Sequence, residues 1–296
     1  MHALRTWLDR RIKWILIAPA TLFVLVLIAY PIVFTANLSL TDAKRSTTRP
    51  SSFVGFENFW NLLTDTHRFW PAVGRTAFFT VAAITIEMIL GILIALSLRK
   101  AFRGQAIVRV AMLLPLVATP VAVGVMWMLI LEPNTGVANM ILRNLGLPEP
   151  LWLADPSLAL NTLILIDAWQ WTPMVALIVL AGLTQIPSET EEAADIDGAG
   201  LFKKTWSVIL PQASGSILAA LLIRSIDAFK TFDILYATKG PGGGSNHEVE
   251  TLNILAYSLS FDYQQYGRAS AVLVLFLTLL ICVVTSIVLM RRAVTR

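Results

Sequence analysis

Charge is the first thing this chain lacks. Only 14% of its 296 residues are Asp, Glu, Lys or Arg, against about 25% in ordinary soluble domains, so a soluble fold is not expected. Cysteine is almost absent. Its one thiol, Cys282, sits inside an apolar run, which rules against a disulfide framework or a thiolate metal cluster. Histidine is scarce too: His2, His67 and His247 lie far apart without ligand-spaced partners, so no zinc or haem site is expected. The chain has no Walker A loop, no nucleophile elbow and no His-Glu-x-x-His pair. It is therefore expected to need no cofactor, to be no enzyme and to hydrolyse no ATP itself.

What is abundant is apolar residue, 56% of the chain, gathered into long runs. Six runs can be drawn at about 14–34, 72–98, 106–131, 158–183, 213–236 and 268–290. The first would reach about 31 Å as a helix, enough to cross the hydrocarbon core of a bilayer. Arg5, Arg10, Arg11 and Lys13 precede it, but the apolar stretch exceeds that of a secretory signal and no small-residue cleavage site follows, so it reads as a retained span. The net charge of +4 does not point to nucleic acid. The basic residues flank apolar segments and form no stripe interleaved with aromatics. The expected fold is all-α: a polytopic membrane protein with six transmembrane helices in a single domain, 1–296.

Orientation follows from the basic residues beside the spans. With the N-terminus inside, 13 Lys and Arg lie on the cytoplasmic side and 8, including Arg45 and Arg49, on the outer side, with Arg224 and Lys230 left within the fifth span. Both termini are expected to be cytoplasmic. Between spans one and two runs an outer segment rich in Ser, Thr, Asn and aromatics. In span three, Pro115 and Pro120 are expected to kink or break the helix, which a membrane tolerates only where protein or water satisfies the freed backbone groups. No inverted internal repeat is visible.

The cytoplasmic loop 185–212, between spans four and five, is long and patterned. Ser188 followed by Glu191 reads as a capping box that starts a short helix. Ala193 and Ala194 then offer a smooth patch for close approach by another protein, while Gly198 and Gly200 permit a sharp exit turn. Lys203 and Lys204 fall beyond it. Such a helix suits insertion into a groove on a partner.

The run Glu192-Ala-Ala-Asp-Ile-Asp-Gly-Ala199, with Ile209-Leu-Pro211 downstream, resembles the cytoplasmic coupling motif of permeases in bacterial binding-protein-dependent ABC importers. The residues that match are Glu192, Ala193, Ala194, Asp197, Gly198, Ala199, Ile209 and Pro211, and the resemblance implies that they dock into a cleft of the ATPase subunit. Further stretches resemble the sugar-type branch of these permeases, among them Ala18-Pro19, Tyr30-Pro31, Val54-Gly-Phe-Glu-Asn-Phe59, Asp167-Ala-Trp-Gln-Trp-Thr-Pro173, Leu180-Ala-Gly-Leu183, Arg224-Ser-Ile-Asp-Ala-Phe-Lys-Thr-Phe-Asp233 and Tyr266-Gly-Arg-Ala269. The chain departs from the family at Ser214-Gly-Ser216, where another proline is common, and in the order of Lys239-Gly-Pro-Gly-Gly-Gly-Ser245. The implied protein is one of two permease subunits in a bacterial inner membrane. Its implied partners are a second permease of different sequence, two ATPase subunits, an extracytoplasmic solute-binding protein and membrane lipid. Alternating access driven by ATP would then carry a sugar or related polar solute.

Ionisable residues inside spans cost about 2.5–3.5 kcal/mol each on insertion scales, so each calls for a partner or a role. At 100° per residue Arg224, Asp227 and Thr231 share one face of span five, which allows an Arg224–Asp227 pair lining the path or the permease contact. Asp167, Trp169 and Trp171 in span four combine ring faces and a carboxylate, a mixture that suits a sugar. Phe229 and Asp233 complete the expected solute path. Glu87 has no obvious partner and is expected to hydrogen-bond between helices. The stretch 240–245 lacks the ending of a phosphate loop and is expected to be a flexible outer loop within reach of a binding protein. Two rivals remain: an ion-coupled secondary transporter using Asp167, Asp227 or Asp233 as proton carrier, and a membrane enzyme built on Asp167 or Glu87. The first leaves the loop 185–212 unexplained, and the second lacks any convergent set of His, Ser or Cys near those carboxylates. An importer of the same class for another solute is the nearer alternative.

Overall fold

A computed structural model describes residues 2–44 and 51–294. Arg45, Arg49 and Arg296, counted in the charge comparison, lie outside them. Every extended element among the described residues is helical apart from one antiparallel bridge, Thr41 to Phe53. Helix α1 (His2–Ser39) contains the first apolar run and passes through Pro19 and Pro31 without interruption. Its side chains from Leu16 to Phe34 are almost all exposed, as expected of a helix whose solvent is lipid. The short α2 (Glu57–Leu63) lies in the segment between the first two runs. There Asn58 donates to the carbonyls of Ser39 and Thr41 at 2.9 and 2.8 Å, tying the segment to the end of α1.

The second run forms α3 (Phe69–Ser97). The third is broken: α4 (Gln105–Val117) and α5 (Pro120–Ile130) meet at 99°. Pro115 stays inside α4, whereas Pro120 opens α5, because proline disfavours a helical conformation in the residue before it. Ala118 and Thr119 are accordingly extended. The carbonyl of Ala118 that the break leaves without an intrahelical partner accepts a hydrogen bond from Gln170 at 3.1 Å. Protein thus satisfies the exposed backbone, which is the condition for a break at membrane depth.

After α6 (Val137–Asn144), α7 (Pro156–Leu183) carries the fourth run. Asp155 caps it by accepting from the Ser157 amide at 2.8 Å, and Pro156 occupies the first helical position. In its most apolar window 67% of residues are buried, against 0% for α1 and 6% for the last helix, so α7 is the axis of the bundle. Two glycines allow its closest contacts. A Cβ at Gly91 of α3 would lie 2.5 Å from Val175, and one at Gly182 would lie 2.0 Å from Ser216, so α7 meets α3 and the fifth span with almost no side chain between backbones.

The loop 185–212 folds as α8 (Ser188–Ile196), α9 (Leu201–Lys204), a π-helical turn over Thr205–Ile209 and α10 (Leu210–Gln212). The fifth run then continues as α11 (Ser214–Phe229) and α12 (Asp233–Lys239), interrupted at residues 230–232. It is followed by α13 (Leu252–Tyr257), a second π-helical turn over Ser258–Asp262 and α14 (Tyr266–Val294), which holds the sixth run. Among the described residues, four helices are long and apolar enough to cross a membrane alone, and up to six if each of two bent pairs, 105–117 with 120–130 and 201–212 with 214–239, is one span.

The stretch 240–245 differs from the flexible loop expected. Pro241–Gly243 form one 3-10 turn in which Gly242 and Gly243 are buried. Gly243 has φ +69°, and a Cβ there would sit 2.6 Å from the Glu250 amide nitrogen, so only glycine fits. Lys239 anchors the turn by donating to the Leu153 carbonyl and to Glu248, both at 2.6 Å. Consecutive glycines here serve close packing, a use that composition does not distinguish from flexibility.

Candidate functional site

Two breaks in the spans border one cavity of about 250 Å³, lined by Pro120 at the start of α5 and by Lys230, Thr231 and Phe232 between α11 and α12. Its charged wall is supplied by Asp167, Arg224, Asp227, Lys230 and Asp233, with Trp171 beside them. Arg224 is 1% exposed. Its Nε donates to Glu87 Oε2 at 2.5 Å, and its Nη2 to Glu87 Oε1 at 2.6 Å and to Asp167 Oδ2 at 2.8 Å. The guanidinium also lies 5.1 Å from the centre of the Trp171 ring, within cation–π range. One side chain of α11 therefore holds α3 and α7 together. A guanidinium fits this task because its planar fork engages one carboxylate with two bonds and has donors left for a second.

The Arg224–Asp227 pair expected from helix periodicity is not formed. Asp227 instead pairs with Lys230 at 2.9 Å, and Arg224 reaches across to the other two spans. Glu87, which had no partner within its own stretch of sequence, is the bidentate acceptor. The missed signal is a count: a carboxylate in span two, another in span four and a lone guanidinium in span five, all deep in apolar runs, compensate one another best when brought together.

Five of the seven expected path residues line the cavity: Asp167, Trp171, Arg224, Asp227 and Asp233. Trp169 does not. Two residues along a helix turn it by about 200° from both Asp167 and Trp171, and it packs edge-on against Trp127 of α5 at 5.4 Å. Phe229 also points elsewhere, stacking on Phe276 of α14 at 5.0 Å. Asp233 begins α12, where a negative charge is favourable to the helix dipole.

In the loop 185–212, α8 starts at Ser188 as expected, but the capping box does not form. Pro187 holds the cap position, Ser188 is already helical and no side chain caps the helix. Glu191 is drawn off by Arg99 beyond the end of α3, with which it makes an ion pair. The exit turn is built as expected at Gly198, whose φ of +72° requires glycine's freedom. The Ala199 amide donates to the Ala194 carbonyl at 2.9 Å and the Gly198 amide to that of Asp195 at 3.1 Å, the double closure of a Schellman motif. Gly200, at φ −63°, adopts a backbone open to any residue. Glu192, Ala193, Asp197, Gly198 and Pro211 are exposed, Ala199 is half-buried, and Ala194 and Ile209 are buried. The expected two-alanine patch therefore presents only Ala193. Lys204 is buried and paired with Asp195, leaving Lys203 exposed.

Comparison with known proteins agrees with this architecture. Residues 87–294 match the family described as the binding-protein-dependent transport system inner membrane component. The trehalose transport system permease protein SugA of Mycobacterium tuberculosis is 34% identical over 268 residues, covering 90% of this chain and 84% of SugA. The trehalose/maltose transport system permease protein MalF of Thermococcus litoralis is 32% identical over 274 residues, covering 92% and 91%. Among solved structures, a chain of a bacterial ABC transporter involved in import of the acidic polysaccharide alginate superposes with a TM-score of 0.85 over 99% of this chain and 100% of that one, at 21% identity, a likeness of fold. With its several apolar helices and this family match, the chain is a multi-pass inner-membrane protein and belongs to the family of inner-membrane components of binding-protein-dependent transport systems.

Proposed function

We propose that the chain forms, with a second permease of different sequence, the path by which a sugar or related polar solute enters the cell, both termini being cytoplasmic. An extracytoplasmic binding protein delivers the solute. Two separate ATPase subunits supply the energy, and the chain itself hydrolyses nothing. The observation that carries this reading is the coexistence, in a member of this family, of an exposed Gly198-terminated helix on the cytoplasmic loop and a carboxylate-lined cavity between broken spans. Glu192, Ala193, Asp197 and Gly198 present the surface for the ATPase. Ala194, Ala199, Ile209 and Pro211 belong to the same docking motif, the first three of them wholly or partly turned inward to set the helix on the bundle. In the cavity, Asp167, Asp227 and Asp233 accept hydroxyl protons and Trp171 offers a ring face to C–H groups, a combination suited to a polyhydroxylated solute. The names of SugA and MalF point the same way.

Purification of the tagged chain from its native membrane in mild detergent tests the reading. An ATPase and a second permease are expected to accompany it, and the preparation to hydrolyse ATP. Gly198→Pro or Glu192→Lys should insert normally yet lose the ATPase and uptake. A chain recovered alone that moves solute in liposomes without ATP would return the secondary-transporter reading.

A further inference from the structure

The helix α8 leaves the end of α7 through residues 184–187, and such a connection on its own would let it swing. Two ion pairs restrain it. Asp195 binds Lys204 on α9, which fixes α8 to the rest of its own loop. Glu191 binds Arg99, which lies two residues past the end of α3. Of the ion pairs among the described residues, this one alone joins the loop helix to the end of a different span, and it is sheltered: the two side chains are 11% and 20% exposed. The span it reaches is the one that carries Glu87, twelve residues back along the chain, or about 18 Å along the helix. Between the two, Gly91 lets α3 lie directly against α7. A push on α8 thus has a stiff route to the carboxylate that holds Arg224 in the cavity wall.

We infer that Arg99 and Glu191 are positioning residues that couple movement of the loop helix to the cavity by locking α8 to α3. The inference rests on the proposed function, because the push is taken to come from a docked ATPase. It assigns a task to two residues outside the docking motif. Neither faces the cavity, so their loss acts on transmission and not on solute contact. Lys100, Arg103 and Arg109 supply other positive charge nearby in sequence. Arg109 is engaged with the Leu98 carbonyl at 3.3 Å, and Lys100 and Arg103 are tested as controls.

The test uses the complete complex purified from its own membrane. Thr231→Cys on the cavity wall, in a Cys282→Ser background, serves as reporter, labelled by a membrane-impermeant maleimide with and without ATP. In the parent the labelling rate should change on addition of ATP. Arg99→Glu is expected to cut that change about tenfold, the size of coupling carried by single positions, while the ATPase still copurifies and still hydrolyses ATP. Arg99→Glu combined with Glu191→Arg should restore it, and Lys100→Glu or Arg103→Glu should leave it intact. An unaltered response in Arg99→Glu, or a charge swap that responds no better than the single variant, overturns the inference. If Arg99→Glu does not assemble, Arg99→Gln and Glu191→Gln are read by the same criterion. Absence of any ATPase from the parent preparation would instead defeat the proposed function.

Discussion

Arg224 and Lys204 are both buried bases held by carboxylates, but their partners lie at very different removes. Arg224 reaches Glu87 and Asp167, 137 and 57 residues away, across three spans. Lys204 reaches Asp195, nine residues back in the same loop, and that carboxylate is 58% exposed. The first set fixes how helices sit against one another, with all three side chains almost fully buried. The second closes a local turn whose carboxylate remains hydrated. The same chemistry therefore organises the bundle in one place and trims a loop in the other.

Removal of each base separates the two cases. Arg224→Ala leaves two carboxylates facing each other at membrane depth and should cost about 3–5 kcal/mol, seen as a large fall in thermal stability in detergent. Joining it with Glu87→Gln and Asp167→Asn should recover much of that loss, since the uncompensated charges are gone. Lys204→Met should cost under about 1 kcal/mol by the same assay, as for a partly exposed pair. Equal losses in the two variants would erase the distinction.

The smallest effect is expected at the turn over Pro241–Gly243. Burial on its own would raise the Glu248 pKa, but the hydrogen bond from Lys239 and those from backbone amides, Asn246 included, outweigh it and hold the carboxyl below its usual range. A depressed carboxylate pKa adds stability that is present above the unfolded value, about pH 4.3, and is lost as pH falls through the lower folded value. Protection factors around residues 240–250, taken relative to the intrinsic exchange rate at each pH, should therefore fall as the pH drops below about 4, and Glu248→Gln should abolish that dependence.

What the sequence made legible follows the same division between near and far. Apolar runs foretold where the long helices lie, because length and hydropathy are properties of one segment. Pro120 announced a break through its own geometry, while Pro115, equally visible, caused none because the chain accommodates it inside α4. Gly198 was readable as a turn since the Schellman closure needs only its neighbours. Glu191 was misread as a cap because its partner, Arg99, belongs to another span. Trp169 was grouped with Trp171 by proximity in sequence, although two positions on a helix face opposite ways. Glu87 illustrates the limit most clearly: its role depends on a residue not adjacent in any local pattern, and only the assembled bundle brings Arg224 to it.

The distance between Glu87 and Arg224 along the chain is also an interval of time. A ribosome adding about 5–20 residues per second needs roughly 7–30 s to make the 137 residues that separate them. During that interval the second span must reside in or beside the bilayer with a carboxylate that has no cation to meet. Its remaining residues are apolar enough, with a mean hydropathy of 2.4 over the span's best window, to carry an ionisable group whose insertion costs about 2.5–3.5 kcal/mol. The hydropathy of α3 thus offsets the cost of Glu87 before its partner exists, and the pair closes only when the fifth span arrives.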